Sequence, residues 1–186
     1  MRISSKVDYA VRACTELAVR SPNRAAGATK GELLGVAQGI PTKYLENILS
    51  ELRRSGVVGS QRGADGGYWL ARPAEEISVA DVIRAVEGPL ADVRGEAPEE
   101  LEYVGPAKPL ERVWMATRAS VRLVLEHVSL ADIASDSLPK SVDALLDDPE
   151  AWLRRGELSG AGQGLRNAGT RRVSSLSHPV VVTPGL

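Results

Sequence analysis

Apolar residues near the start of the chain recur at three- and four-residue steps, with polar residues between them. This spacing is typical of an amphipathic helix, and it predicts a first helix from Ser5 to Arg20. The Ser21-Pro22-Asn23 stretch then ends the helix. The predicted apolar stripe consists of Val7, Ala10, Val11, Cys14, Leu17 and Ala18.

Two further helices are predicted in close succession. A capping-box pattern over Thr29–Glu32 indicates a short second helix that ends near Gln38. Gly39 suits the left-handed residue that follows a helix, and Pro41 suits the first turn of a third helix, which Gly56 ends. The buried stripe of the third helix is predicted to be Leu45, Ile48, Leu49 and Leu52.

A pair of short strands is predicted after the third helix, over 57–61 and 68–71, with a turn of three glycines over 62–67 between them. A second capping-box pattern over 78–81 begins a fourth helix that ends near Gly88. Two helices joined by a glycine-containing turn and followed by a hairpin are the order of a winged helix-turn-helix.

A long helix is predicted from Pro109 to Val128, after a loop rich in Gly, Pro and Glu. Its apolar face has to be buried, either against the same helix of a second copy or by folding back on its own domain; a two-fold partner is the more economical solution. The residues predicted to form this dimerisation seam are Leu110, Trp114, Thr117, Val121, Val124 and Val128, widened by Val113 and Leu125.

The predicted fold class is therefore mainly α with a small β-hairpin wing: a winged helix-turn-helix plus a long C-terminal dimerisation helix. Short helices are also expected at 130–134 and 141–146, and the Gly- and Ser-rich end is expected to be disordered. The predicted organisation is a DNA-binding domain over 1–88, an acidic loop over 89–108, a dimerisation helix and short following helix over 109–135, a short helical extension over 136–155, and a disordered tail over 156–186.

The distribution of charge supports a polyanionic partner. The net charge of the chain is −1, yet residues 1–72 carry eleven basic and six acidic side chains, whereas residues 73–150 are acidic. Asn can pair with adenine, Glu can accept from cytosine, and an arginine at a bare hairpin tip can enter a minor groove. The candidate DNA-binding residues are Thr42, Lys43, Tyr44, Glu46, Asn47, Arg53, Arg62, Gly63, Asp65, Gly66 and Gly67, although for Arg53 and Arg54 a favourable position at a helix C-terminus is an equal explanation.

No pattern in the chain predicts an enzyme, a metal site or a membrane span. There is no nucleophile triad, phosphate-binding loop or long apolar run, and His127 and His178 have no metal-ligand spacing. The start lacks a signal-peptide pattern, so a cytoplasmic location is expected. The single cysteine, Cys14, lies on an apolar stripe, which favours an inert buried thiol over a redox switch.

Several stretches resemble the IscR/NsrR/CymR family of winged-helix regulators. They are the start of the chain at 2–13, the third helix and its end at 43–58, the glycine-rich hairpin at 62–73, and the segments 77–88 and 128–133. The similarity covers roughly residues 1–135. It implies a homodimer that binds a pseudo-palindromic operator on double-stranded DNA, is built through the long helix, and usually acts as a repressor.

The resemblance also implies where a sensor would lie. In the cluster-binding branch of that family, three cysteines in the loop before the long helix hold an iron–sulfur cluster, and Asp8 matches a carboxylate ligand of some nitric-oxide-sensing members. Here the equivalent segment, 90–106, contains neither cysteine nor histidine, so no cofactor is expected. Cluster-free relatives regulate sulfur and cysteine metabolism, which leaves a metabolic enzyme or a small molecule as the effector; a protein-interaction module and a redox or iron–sulfur sensor are the alternative functions.

Overall fold

The computed structural model describes residues 2–153, and it has the predicted winged-helix organisation. Seven α-helices and a two-stranded antiparallel hairpin follow one another along this part of the chain. The helices are α1 (Ser5–Arg20), α2 (Gly31–Gln38), α3 (Thr42–Arg54), α4 (Val79–Glu87), α5 (Leu110–Leu125), α6 (Leu130–Ala134) and α7 (Lys140–Leu146); the strands are β1 (Val58–Gln61) and β2 (Gly67–Leu70). The disordered tail predicted from 156 to 186 lies outside the described residues.

The hydrophobic core forms where α1, α3 and α4 meet. The predicted apolar stripe of α3 is confirmed, since all four of its residues are fully buried. Cys14 and Leu17 of α1 are also fully buried and belong to the same cluster. Because one face of α3 is thus held in the core, its opposite face is directed outwards.

The turn between α2 and α3 is tight. Gly39 adopts the predicted left-handed conformation, with φ of 62° and ψ of 36°. The Ile40 amide then donates to the Gly35 carbonyl at 2.8 Å. A Cβ on Gly35 would lie 2.9 Å from the Ile40 carbonyl oxygen. The backbone at Ile40 can therefore approach α2 this closely only because residue 35 is glycine. Pro41 is the residue just before α3 rather than part of its first turn, because the helix starts at Thr42.

The predicted capping box at Thr29 is wrong. Lys30 occupies the cap position of α2 and makes no side-chain capping bond. Thr29 instead pairs with Tyr68 in an antiparallel bridge, with N···O distances of 2.9 and 2.8 Å, and its buried hydroxyl bonds to the Ser21 hydroxyl at 2.8 Å. The backbone of Thr29 is therefore used by the hairpin edge, and its side chain by the residue that follows α1, rather than by the start of α2. The second box, between Ser78 and Asp81, is confirmed.

The wing is a regular hairpin. Its strands pair with Val58 opposite Leu70 and Gln61 opposite Gly67, and each strand lies within one residue of the predicted bounds. Trp69 folds across the strand opposite it, since a Cβ on Gly59 would lie 2.4 Å from the indole nitrogen. A small residue at position 59 therefore lets this large ring lie flat on the hairpin.

The long helix is shorter than predicted. It runs over Leu110–Leu125, and Val128 lies beyond its end. Val128 is 6% exposed, and its carbonyl accepts a hydrogen bond from the Val79 amide at 2.9 Å, so it is buried at the start of α4. Because Val128 is buried against its own chain, it cannot be part of the predicted dimerisation seam.

Residues Met1–Ala144 form one compact unit, in which α4 and α6 both pack on α1. The predicted loop before α5 contains single 3₁₀ turns at Pro98–Glu100 and Gly105–Ala107. A second unit starts at Leu145; in its described part the Trp152 indole donates to the Leu146 carbonyl at 2.9 Å. The boundaries predicted between 88 and 155 stay predictions.

Candidate nucleic-acid interface

The outward face of α3 carries the predicted polar set. Lys43, Glu46 and Asn47 are exposed, and Thr42 is half-buried at the first turn. These residues occupy the N-terminal half of a helix whose other face is in the core, which is where a recognition helix presents side chains to base edges. The face offers an ammonium group, a carboxylate and an amide, which together can match several base-edge patterns.

Tyr44 is both exposed and braced. The residue is 39% exposed, and its ring contacts the ring of Tyr9 edge-on, with centroids 5.9 Å apart and an interplanar angle of 79°. The sequence places Tyr44 among the DNA-facing residues and says nothing of this contact, because it joins two helices far apart in the chain.

The wing tip brings Arg62 and Asp65 to the surface, where both side chains are exposed. The tip is compact because the Gly66 amide donates to the Gly63 carbonyl at 3.0 Å. A Cβ on Gly66 would lie 2.6 Å from the Gln61 carbonyl oxygen, so a larger residue there would open the turn. The bare tip allows close approach of the wing to a nucleic-acid backbone.

The α3 face and the wing meet at one cleft of about 320 Å³. It brings together four predicted residues, Glu46, Gly63, Gly66 and Gly67, with the start of α2. Arg53 is exposed but lies in the last turn of α3, about two turns further along the helix. A positive charge at that position is favourable at the negative end of the helix dipole.

Two basic residues near the wing were not among the sequence candidates. Lys30 lines the cleft between α2, α3 and the wing, and it is exposed. Arg24 lies with its guanidinium carbon 5.7 Å from the centroid of the Trp69 ring. The sequence could have indicated Lys30 as a candidate, because it is a basic residue at the predicted start of the second helix. The proximity of Arg24 to the wing appears only once the chain is folded.

The predicted seam residues of α5 divide between two environments. Trp114 is half-buried and donates from Nε1 to the Tyr103 hydroxyl at 3.0 Å, so it packs on its own loop. Val121, with Leu125, lines a cleft towards the start of α1. The large apolar side chains that stay most exposed on α5 are Val113 and Leu123, at 51% and 54%.

The single thiol has the properties of a core residue. Cys14 is fully buried, and this burial raises its pKa from an ordinary 9.0 to about 12. Thiolates are the metal-binding and redox-reactive form, so burial works against both roles. Asp8, which the resemblance matches to a cluster ligand, forms an ion pair with Arg12 at 3.1 Å.

A sequence profile of the Rrf2 family, described as an iron-dependent transcriptional regulator, matches residues 3–136. This chain belongs to the Rrf2 family. The match confirms the predicted family resemblance and covers both the winged helix-turn-helix and α5. The protein is a DNA-binding transcriptional regulator and not an enzyme.

Related sequences and structures agree with this placement. A Mycobacterium tuberculosis protein named "Putative HTH-type transcriptional regulator Rv1287" is 48% identical over 151 residues, covering 81% of this chain and 92% of the relative. The structure of CymR, the global cysteine regulator of B. subtilis, is 36% identical with a TM-score of 0.60, covering 73% of this chain and 97% of that one. The T. potens IscR structure is 30% identical with a TM-score of 0.57, covering 86% and 96%.

The donor set of this chain does not fit an iron–sulfur cluster. Such clusters are held mainly by cysteine thiolates, and Cys14 is the one cysteine in the sequence. Cys14 is enclosed in the core, and the loop over 90–106 offers carboxylates without a thiol or imidazole. Within residues 2–153, no group of three or more His, Cys, Asp or Glu side chains is arranged to hold a metal ion.

No helix among the described residues has the length and apolar character needed to cross a membrane.

Proposed function

We propose that this protein is a homodimeric repressor that binds a pseudo-palindromic operator without an iron–sulfur cluster. One observation carries the DNA-binding part of the proposal: the exposed face of α3 and the bare wing tip border the same cleft. With α3 in a major groove, Lys43, Glu46 and Asn47 contact base edges, and Arg62 of the wing reaches the adjacent minor groove or backbone.

Charge supports this orientation. The first 72 residues carry the excess of basic side chains, and one of these, Lys30, places an exposed ammonium group at the cleft itself. Phosphate contacts from such residues release counterions, so the affinity falls steeply as salt rises. The acidic segment after residue 73 is repelled by DNA and leaves the basic part as the contact surface.

The dimer is proposed to form through α5. None of the residues of this helix is buried in the single chain, although the helix carries apolar side chains on several faces. Val113 and Leu123, with Ala116 and Ser120, are exposed and lie on one side of the helix. Pairing this side with a second copy buries it, and the resulting two-fold symmetry matches two half-sites on a palindrome.

A link to cysteine or sulfur metabolism is part of the proposal, based on the similarity to CymR, which is named as a global cysteine regulator. Because the chain lacks cluster ligands, the signal is proposed to come from a metabolic enzyme or a small molecule. Measuring transcripts next to the genomic sites that the protein occupies, with cysteine or sulfate as the sulfur source, tests this link. Equal transcript levels and equal occupancy in both media would contradict it.

Selection of duplexes from a random-sequence library, followed by affinity measurements over a salt series, tests the DNA interface. Asn47→Ala and Arg62→Ala are each expected to weaken binding to the selected duplex by roughly tenfold or more, because one good base contact contributes about 1–3 kcal/mol. Lys140→Ala removes a positive charge at the exposed start of α7, away from α3, the wing and α5, and is the matched control, expected to bind normally. Failure to enrich any sequence, with a protein partner retained in pull-downs, would instead indicate a protein-interaction module.

A further inference from the structure

The last residue of α2 is held by α1 through three hydrogen bonds. Gln38 accepts at Oε1 from the Arg12 Nε at 3.4 Å, and its backbone carbonyl accepts from Arg12 Nη2. Its Nε2 donates to a carboxylate oxygen of Glu16 at 2.6 Å. The donor and the acceptor of the Gln38 side-chain amide are therefore both engaged by α1.

The position of Gln38 makes these contacts consequential. It is the residue before Gly39, the left-handed turn that sets the direction in which α3 leaves α2. An arginine at the end of a helix also neutralises the negative end of the helix dipole and satisfies a carbonyl that has no partner within the helix. Arg12 thus fixes the final carbonyl of α2 at the point where the chain turns into the recognition helix.

A second contact links the same part of α1 to α3. The guanidinium carbon of Arg12 lies 5.6 Å from the centroid of the Tyr9 ring, and Tyr9 meets Tyr44 of α3 edge-on. Asp8 pairs with the other side of the guanidinium at 3.1 Å. A carboxylate and an aromatic face therefore restrict the orientation of the Arg12 side chain. Because of this restriction, Arg12 loses less side-chain entropy when it binds Gln38.

We propose that Gln38, held by Arg12 and Glu16, is a positioning residue that sets the angle of the recognition helix α3 against α1 for sequence-specific DNA binding. The proposal rests on the proposed role of α3 in base contact. The three residues act through the backbone of the turn, so their loss moves the whole α3 face at once. Base contacts need accurate placement, whereas phosphate contacts from flexible side chains tolerate displacement, so specific binding suffers more than non-specific binding.

The contacts of position 38 require a side chain that both donates and accepts a hydrogen bond. Glutamine supplies one donor for Glu16 and one acceptor for Arg12 from a single planar group. In Gln38→Glu the shape is retained, but a carboxylate replaces the amide nitrogen and faces the carboxylate of Glu16. In the double variant Glu16→Gln with Gln38→Glu, the amide at position 16 donates to the carboxylate at position 38, so the hydrogen bond is restored in the opposite direction. Arg12 then donates to a charged carboxylate at position 38.

The test compares the full-length wild type, Gln38→Glu, the reversed double variant and Val36→Ser. Val36 is 82% exposed on the same helix, so its variant controls for a change in α2 that leaves the turn intact. Each protein is measured against the duplex selected by the wild type and against a scrambled duplex, at one salt concentration and well below its unfolding temperature. Circular dichroism confirms that each protein is folded at that temperature.

Gln38→Glu is expected to lose roughly tenfold in affinity for the selected duplex, since a hydrogen bond to a charged group contributes on that order, with the scrambled duplex bound as by the wild type. The double variant is expected to recover most of the specific affinity. A folded Gln38→Glu protein that binds the selected duplex as the wild type does would overturn the proposal, as would an equal loss on both duplexes. If the wild type itself selects no sequence, the proposed function fails instead.

Discussion

The indole Nε1 of Trp114 donates a hydrogen bond to the hydroxyl of Tyr103 at 3.0 Å, and it joins the loop before α5 to the helix itself. A second link lies one turn further along, where Arg118 and Glu99 form an ion pair at 2.5 Å. In the cluster-binding branch described above, iron–sulfur ligands are carried by the same loop. In this chain the loop carries no such ligands, and it is instead held against α5 by the Trp114–Tyr103 hydrogen bond and the Arg118–Glu99 ion pair.

Removing the hydroxyl of Tyr103 should loosen this loop. Tyr103→Phe keeps the ring and loses the hydrogen bond, so we expect a cost of about 1 kcal/mol and faster proteolysis within 89–108. Limited proteolysis with mass spectrometry, together with thermal unfolding, measures both effects. Tyr44→Phe, which removes a hydroxyl from α3, is the control; cleavage of that loop at equal rates in the two variants would contradict the docking role of Tyr103.

The helix-turn-helix should not tolerate a side chain at position 35. In Gly35→Ala the new methyl group lies 2.9 Å from the Ile40 carbonyl oxygen, which is backbone and cannot rotate away. We expect a loss of about 1–3 kcal/mol in the free energy of unfolding, measured by urea denaturation. Gly31→Ala on the same helix is the matched control, because its methyl group would meet its nearest neighbour at 3.5 Å. Equal stability of the two variants would show that the turn relaxes freely.

A charge on the exposed side of α5 should prevent dimer formation. Leu123→Glu places a carboxylate at a side chain that is 54% exposed in the single chain, where the proposed partner helix would bury it. Analytical ultracentrifugation is expected to show a shift from dimer to monomer at micromolar protein, with weaker operator binding because the two half-sites are no longer linked. Val104→Glu, at a loop position that is 85% exposed, should remain dimeric. A dimeric Leu123→Glu protein would place the interface elsewhere.

The thiol of Cys14 should be inert in the folded protein. Burial raises its pKa to about 12, so almost no thiolate exists near neutral pH, and reagents cannot reach it. One equivalent should react with a disulfide reagent at pH 8 in denaturant and almost none without it. Because folding raises the pKa of Cys14, this thiol leaves the free energy of unfolding unchanged below the ordinary value of 9.0. Above that value the free energy of unfolding falls as the pH rises towards 12. Rapid labelling of the native protein would reopen a redox role.

Acid should weaken the contact between α1 and α2. The pKa of Glu16 is held below its ordinary 4.5, chiefly by the hydrogen bond from Arg20 and then by that from Gln38. A lowered pKa stabilises the fold above the ordinary value, and this contribution is lost as the pH falls through the lowered one. The stability difference between wild type and Glu16→Gln should therefore be constant near pH 7 and shrink below 4.5, as followed by thermal unfolding. A difference that does not change with pH would exclude this carboxylate as the titrating group.

The sequence by itself determined most of the helices and which face of each is buried. The spacing in α1 and α3 predicted their apolar stripes, and the predicted bounds of α1 and α6 agree with the structure. These features are local: a helix needs an apolar face and suitable ends, and both are visible within twenty residues. The glycine turn of the wing was predictable for the same reason.

Only the tertiary structure decided how residues far apart in the chain are used. Thr29 had a good capping pattern, but pairing with Tyr68 at the edge of the wing satisfies its backbone instead. Val128 fitted the heptad spacing of α5, but it is buried at the start of α4. The three hydrogen bonds between α1 and Gln38 join residues more than twenty positions apart, and no periodicity reveals such a contact. Local patterns set the faces of helices, whereas competition among distant partners for each polar group is settled only when the chain packs.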